Sequence, residues 1–351
     1  MLVTGGAGFV GSSLSIALAR SGHAVVALDS LRRRGSELNR ARLRDAGVEF
    51  VHGDVRIPDD LEASGEIDAV VECSAEPSVL AGRDGDSSFV VQTNLVGAHH
   101  CLELARRRDA QLVFLSTSRV YPVQPLNALA YRESETRFEL DDEQSSPGAS
   151  ARGISEAFPL AGARTLYGAT KLAAELLIAE YAEDLRVRAV VNRCGVIAGP
   201  WQMGKVDQGV FTHWLLSHYT KKGLRYIGYG GHGKQVRDVL HINDLVELVE
   251  DQLERPDHWA GVTVNVGGTR DFSLSLLEAT AICAEVTGNR VPVDGDAENR
   301  PGDVPVYISN CERLFGLTEW RPRRRPREVI EDIYHWVHDN ERAVLGALAP
   351  A

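Results

Sequence analysis

The 351-residue sequence contains no apolar run approaching the roughly 18 residues that a membrane span needs, so no membrane partner is expected. It also lacks an excess of positive charge. Lys and Arg number 38 against 49 Asp and Glu, for a net charge of −11, and an acidic chain does not attract a phosphate backbone non-specifically. Nucleic acid is therefore not an expected partner, although a few local arginines could still hold a small phosphorylated ligand. Paired cysteines are missing too. Cys73, Cys101, Cys194, Cys283 and Cys311 are scattered, with no Cys-x-x-Cys and no Cys/His cluster of zinc spacing. Reduced, buried thiols and no metal site follow. The start, Met1-Leu2-Val3-Thr4, lacks the basic and apolar regions of a secretory leader, which points to the cytoplasm. No internal repeat is visible.

What is present is an ordinary globular composition, 44% hydrophobic and 25% charged, in a chain long enough for one large domain and a smaller lobe. The first half alternates short β-branched runs with helical stretches, the pattern of an α/β doubly wound parallel sheet. The runs predict strands over Leu2–Thr4, Ala24–Leu28, Glu49–His52, Ala69–Glu72, Gln111–Leu115 and Val187–Val191. Helices are predicted over Val10–Ser21, Leu38–Asp45, Phe89–Arg107 and Leu166–Tyr181. The first strand is short, either complete in a few residues or begun upstream of Met1. Tyr121–Arg164 is polar and aperiodic and reads either as an excursion over a site or as a solvated loop. Beyond Cys194 the alternation is lost. Helices are predicted there over Val210–Tyr219, Asn243–Glu254, Leu274–Val286 and Arg327–Leu348. The expected division is a nucleotide-binding domain over 1–193, rejoined by 235–266, and a mixed α/β substrate lobe over 194–234 and 267–351.

Thr4-Gly5-Gly6-Ala7-Gly8-Phe9-Val10-Gly11 lies between the first strand and the first helix. Glycines at 5, 8 and 11 let the backbone turn tightly and approach a dinucleotide pyrophosphate, whose charge meets the helix N-terminus. Asp29 closes the second strand 18 residues beyond Gly11, placed for the adenosine ribose hydroxyls, and its charge favours NAD over NADP. Arg32, Arg33 and Arg34 follow at once and could instead accept a 2′-phosphate. Asp54, after the third strand, could accept a bond from the adenine amino group or simply close a turn.

Tyr167 and Lys171 stand at i and i+4, on one helix face. A phenol has an unperturbed pKa of about 10 and is a poor base at neutral pH. A nearby ammonium and a positive nicotinamide would both favour the phenolate, and Lys171 would also hold the nicotinamide ribose. The fifth strand ends in Ser116-Thr117-Ser118-Arg119-Val120-Tyr121, delivering hydroxyls to the carboxyl edge of the sheet, where ligands of such sheets bind. Thr117 could bond the substrate oxygen beside the tyrosine.

On these residues, and on Arg300-Pro301-Gly302-Asp303 and Leu317-Thr318-Glu319-Trp320-Arg321-Pro322, the chain resembles the extended short-chain dehydrogenase/reductases of the NAD-dependent nucleotide-sugar epimerase/dehydratase family, nearly end to end. The resemblance implies a Rossmann fold, with Thr117, Tyr167 and Lys171 catalytic. It implies that NAD is bound by Gly5, Gly8, Phe9, Val10, Gly11, Asp29, Asp54, Val55, Ser74, Ala75 and Asn94, with Tyr167 and Lys171. It implies a nucleotide-diphosphate sugar held by Thr117, Ser118, Arg119, Gln208, Arg237, Arg300 and Asp303, the arginines gripping the diphosphate. A homodimer or homotetramer paired through the helices over Phe89–Arg107 and Leu166–Tyr181 is likewise implied.

Two departures stand out. The family's 4,6-dehydratases carry Asp-Glu after the catalytic threonine, supplying the acid and base of elimination; Ser118 and Arg119 stand there, so dehydration is not expected. The usual His-x-Ala-Ala after the fourth strand is replaced by Glu72-Cys73-Ser74-Ala75-Glu76, so a different backbone arrangement near the nicotinamide is expected. Glu133-Ser134-Glu135-Thr136-Arg137, Asp207-Gln208-Gly209 and Gly233-Lys234-Gln235-Val236-Arg237-Asp238-Val239-Leu240-His241 resemble most the branch that inverts C2 of a CDP-hexose such as CDP-paratose. Inversion of an unactivated carbinol needs transient oxidation to a ketose and re-reduction. A UDP-sugar 4-epimerase, a nucleotide-sugar dehydrogenase or reductase with net cofactor turnover, and a non-catalytic nucleotide sensor are the alternatives.

Overall fold

The computed structural model describes residues 1–83, 85–204 and 209–348. In chain order its main strands are β1 (Leu2–Thr4), β2 (Val26–Asp29), β3 (Glu49–His52), β4 (Ala69–Glu72), β5 (Gln111–Thr117), β6 (Ala189–Cys194), β7 (Val196–Ala198), β8 (Val236–His241), β9 (Val262–Val266), β10 (Ser273–Ser275) and β11 (Val306–Tyr307). Seven of them form one parallel sheet in the order β9-β6-β5-β4-β1-β2-β3. Strands buried on both faces read as continuous apolar runs, and β4, β5 and β6 are buried at every position.

The strand order reverses between β1 and β4, so the loops leaving these neighbours splay apart and open a crevice at the carboxyl edge. β5 and β6 run further than their apolar runs predict, through Ser116, Thr117, Asn192 and Arg193 to the pair Cys194↔Thr117. Ladder pairing, not hydrophobicity, sets those ends, and it carries polar side chains to the crevice.

The principal helices are α1 (Phe9–Arg20), α2 (Gly97–Arg107), α3 (Leu166–Glu183), α4 (Val210–Tyr219), α5 (Ile242–Glu254), α6 (Leu276–Thr287) and α7 (Pro326–Asp339). The helix predicted over Phe89–Arg107 is interrupted: Ser88–Val91 is α-helical, Gln92–Val96 forms a π-type turn, and α2 follows. The extra residue of a π-turn rotates the side chains before it, and here it holds Asn94 inside the protein. The predicted helix Arg327–Leu348 breaks at Asn340 and resumes over Glu341–Leu348.

One face of the large sheet packs with α1 and α5 through Leu14, Leu18, Leu245 and Val249, the other with α2 and α3 through Leu102, Ala105, Ala174 and Ile178. β7, β8, β10 and β11 form a second sheet. A third core joins α4, α6 and α7 through Phe211, Leu215, Cys283, Ile333 and Trp336.

The stretch Tyr121–Arg164 is not a solvated loop. It holds a short helix (Val123–Asn127) and two hairpins (Tyr131–Glu133 with Phe138–Leu140, Ala149–Ser150 with Gly153–Ile154). Its Tyr121, Phe138, Leu140, Ile154 and Phe158 are buried against Val304, Val306 and Tyr307. Strands of two or three residues are too short to show a period. Arg137 ties the first hairpin to the lobe, 2.6 Å from the Glu278 carboxylate on α6 and 2.7 Å from the Ser273 carbonyl. No helix among the described residues is long and apolar enough to cross a membrane.

Candidate active site

The turn after β1 is built by exclusion of side chains. Gly5 has φ +61°, and a Cβ on Gly11 would lie 2.1 Å from the Gly5 carbonyl oxygen. Gly8 caps α1 without a side chain, and the first turn of α1 carries no acid. The first backbone N–H groups of a helix have no partner within it and attract an anion. These residues therefore fit a pyrophosphate. Phe9 and Val10 pack their side chains on the core below.

Asp29 accepts from Ala7 N–H at 3.1 Å and Leu31 N–H at 2.7 Å. Burial raises its pKa, and these backbone donors oppose the rise. Each oxygen keeps a lone pair suited to a ribose hydroxyl. The three arginines are engaged elsewhere. Arg32 lies 4.0 Å over the Phe89 ring, Arg33 bonds the Met203 carbonyl at 3.4 Å, and Arg34 bonds the Gly346 carbonyl at 3.2 Å. Asp54 is gripped by the guanidinium of Arg56, with contacts from 2.6 Å, which holds its carboxyl below the usual range. Val55 is buried, and its carbonyl faces His100 Nδ1 at 2.8 Å.

Across the crevice, the loop after β4 is shaped by Asn94. Its Oδ1 accepts from Glu76 N–H at 2.8 Å, and its Nδ2 donates to the Glu76 carbonyl at 3.1 Å and to Thr170 Oγ1 at 3.2 Å. Ser74 and Ala75 lie in that loop, Ser74 buried. Gly5 touches it: a Cβ there would lie 2.9 Å from the Cys73 carbonyl oxygen. Asn94 thus acts on the crevice through the loop and α3.

Helix α3 begins at a Thr165 cap whose hydroxyl accepts from Gly168 N–H at 3.2 Å. Gly168 packs on the turn after β5, where a Cβ would meet the Arg119 carbonyl oxygen at 2.1 Å. This close contact brings Tyr167 beside Thr117. Thr117 is buried, and its Oγ1 also accepts from Arg119 N–H at 3.2 Å. Ser118 starts that turn and is partly buried.

The electrostatics differ from the simple expectation of a lowered phenol pKa. Burial raises the Tyr167 phenol, while Lys171, the Thr117 hydroxyl and Arg119 pull it down. Lys171 is itself buried, its Nζ 3.2 Å from Glu72 Oε2 and 3.8 Å from the centre of the Phe114 ring. Its charge is therefore shared with a carboxylate that sequence reading did not assign to the site. The available signal was an acid ending the otherwise apolar strand Ala69-Val70-Val71-Glu72.

One turn further along α3, Glu175 pairs with Arg193 at 2.7 Å and accepts from Ser116 Oγ at 2.5 Å. Arg193 reaches the Tyr121 hydroxyl at 3.3 Å, which donates to Asn265 Oδ1 at 2.8 Å. This buried network pins α3 to β5, β6 and β9, and it too went unread, because its members are far apart in sequence.

On the lobe side Arg119 donates to the Gly302 carbonyl at 2.9 Å. Its pKa is lowered by burial and by Arg237, with Asp303 and Tyr167 opposing. Arg237 bonds Asp303 Oδ1 at 2.6 Å and the Val304 carbonyl at 2.7 Å. Arg300 faces His213 of α4, whose pKa falls through burial and through that arginine. Thr117, Arg119, Tyr167, Arg237 and Asp303 are thus linked along one wall, and Gln208 lies outside the described residues. The arrangement sets the Tyr167 phenol next to the Thr117 hydroxyl, with the guanidinium groups of Arg119 and Arg237 on the same wall.

Residues 1–267 match the model of the NAD dependent epimerase/dehydratase family. A CDP-paratose 2-epimerase from Salmonella typhi is 28% identical, with 96% of this chain and 98% of that protein covered. A dTDP-glucose 4,6-dehydratase from Mycobacterium tuberculosis is also 28% identical, over 97% of this chain and 94% of its own. The crystal structure of UDP-glucuronic acid 4-epimerase from Bacillus cereus, in complex with UDP-glucuronic acid and NAD, superposes with a TM-score of 0.77 at 22% identity, covering 96% of this chain and 98% of that one.

Proposed function

Because this chain belongs to the NAD dependent epimerase/dehydratase family, we propose that it is a nucleotide-sugar epimerase, inverting a sugar carbinol by transient oxidation, with C2 of a CDP-hexose as the preferred centre. The observation that carries the reading is the composition of the wall beside Tyr167. Thr117, Tyr167 and Lys171 supply what alcohol oxidation requires, while Ser118 and Arg119 occupy the positions where elimination would need an acid and a base. A guanidinium stays protonated at neutral pH and cannot shuttle the proton. The choice of C2 in a CDP-sugar is supported by the end-to-end likeness to the Salmonella typhi CDP-paratose 2-epimerase.

The glycine turn and Asp29 would hold NAD, which supplies the hydride acceptor and donor. Thr117 would orient the substrate oxygen while Tyr167 takes the hydroxyl proton, and with the carbinol hydride passed to the cofactor the sugar is left as a ketose. Arg237 and Arg300 would keep the diphosphate anchored while the ketose presents its other face, and Arg119, Ser118 and Asp303 would line the sugar. Tyr167 then returns the proton. Two copies would pair through α2 and α3, the helices the family resemblance implies.

The test is to incubate the purified protein with CDP- and UDP-sugars and follow their anomeric NMR signals. Inversion without net cofactor turnover is expected. Tyr167→Phe should lower it by about 10²–10⁴-fold while leaving NAD bound. Stoichiometric reduction of added NAD with no inversion would overturn the proposal in favour of a dehydrogenase.

A further inference from the structure

The Glu72–Lys171 pair lies below the phenol and is not explained by proton traffic at Tyr167. β4 pairs with β1 and β5 on either side, with Glu72 in register with Thr4 and Phe114. Its carboxylate is 1% exposed and Lys171 is 1% exposed. Burying two full charges is costly unless each neutralises the other.

Glu72 is the counter-charge of Lys171: burial raises the pKa of its carboxyl, and the Lys171 charge and hydrogen bond, with the Ser74 N–H, oppose that rise. Cys73 follows β4, Cys101 lies on α2 and Cys194 ends β6. Each thiol feels Lys171, and burial pushes each upward, Cys194 to about 12, so all three are neutral. On α3 itself, Tyr167 lies one turn before and Glu175 one turn after, and Glu175 is committed to Arg193. Arg119, from the turn after β5, faces Tyr167 rather than adding an anion. Among the described residues, Glu72 is the one carboxylate within ion-pair distance of Nζ.

We propose that Glu72 is a positioning residue that keeps Lys171 an ammonium inside the sheet, so that β4 sets the pH at which Tyr167 works. The inference rests on the epimerase reading for its catalytic consequence, but not for its physical content. With the carboxylate gone, Lys171 would be a buried cation with no counter-charge, and burial favours the neutral amine. Tyr167 would then lose the ammonium that opposes its burial. Glu72→Gln should therefore move the acidic limb of the turnover profile to higher pH, by about one to three units. Glu72→Asp, which keeps the charge, should lie between it and wild type.

The chain has five lysines, so 13C-labelled lysine gives a spectrum in which the Cε resonance of Lys171 is assigned by comparison with Lys171→Met. Recorded without substrate at the same pH, that resonance should move in Glu72→Gln from its wild-type position toward that of a neutral amine. An unmoved resonance in Glu72→Gln, or an acidic limb shifted to lower pH, overturns the proposal. Should Glu72→Gln fail to fold, Glu72→Asp decides it, with a displaced resonance or pH profile supporting and neither refuting. A protein that inverts no sugar yet shows the lysine shift sinks the epimerase reading alone; inversion with an unmoved resonance sinks only the role of Glu72.

Discussion

Asp238 should make the protein less stable as the pH rises, and the structure gives the size of the effect. It lies on β8 next to Arg237, and its carboxylate is 0% exposed. Neither oxygen has a hydrogen bond of normal geometry. The pocket is closed by glycines: a Cβ on Gly267 would lie 2.0 Å from Oδ2, and one on Gly195 3.0 Å from Oδ1. Burial raises its pKa from 3.8 to about 6, with Ser309 opposing. In the unfolded chain the carboxyl ionises at its ordinary value, so between those pH values the folded state binds more protons. Its contribution is therefore fully present below pH 3.8 and is lost as the pH rises through 6. At about 1.4 kcal/mol per pH unit the loss is on the order of 3 kcal/mol. Asp238→Asn is nearly isosteric and cannot ionise. Urea unfolding of both proteins between pH 4 and pH 7.5 should show the variant gaining on the wild type by about that amount, with the gain confined to that window. Any constant cost of the amide cancels in the comparison. A stability difference that is flat with pH, or that moves against the variant as pH rises, would refute a buried, ionising Asp238.

Two further outcomes follow from close contacts. Gly11→Ala would force a Cβ against the Gly5 carbonyl, at an overpacking cost of about 1–3 kcal/mol, and a fluorescence titration should find NAD bound about tenfold or more weakly. Arg193→Met strands the Glu175 carboxylate, which is 6% exposed. Loss of one partner of a buried ion pair costs about 3–5 kcal/mol, so the denaturation midpoint should drop, and by less in Arg193→Met combined with Glu175→Leu.

Local chemistry was legible in the order of residues. The glycine turn, Asp29, the threonine ending β5 and the Tyr167/Lys171 pair each depend on a spacing of a few residues, and a βα turn or a helical turn realises that spacing wherever it occurs. The parallel sheet followed for the same reason, since the apolar runs of β4, β5 and β6 are their own record of burial on both faces. Only tertiary structure decided what those groups meet. Lys171 and Glu72 are 99 residues apart, Arg237 and Asp303 66, and no local period links either pair. The fate of Arg32, Arg33 and Arg34 depended on where Phe89, Met203 and Gly346 arrive. A side chain's charge state is set by the solvent and counter-charges that folding removes or supplies, and those belong to the packed molecule, not to its neighbours along the chain.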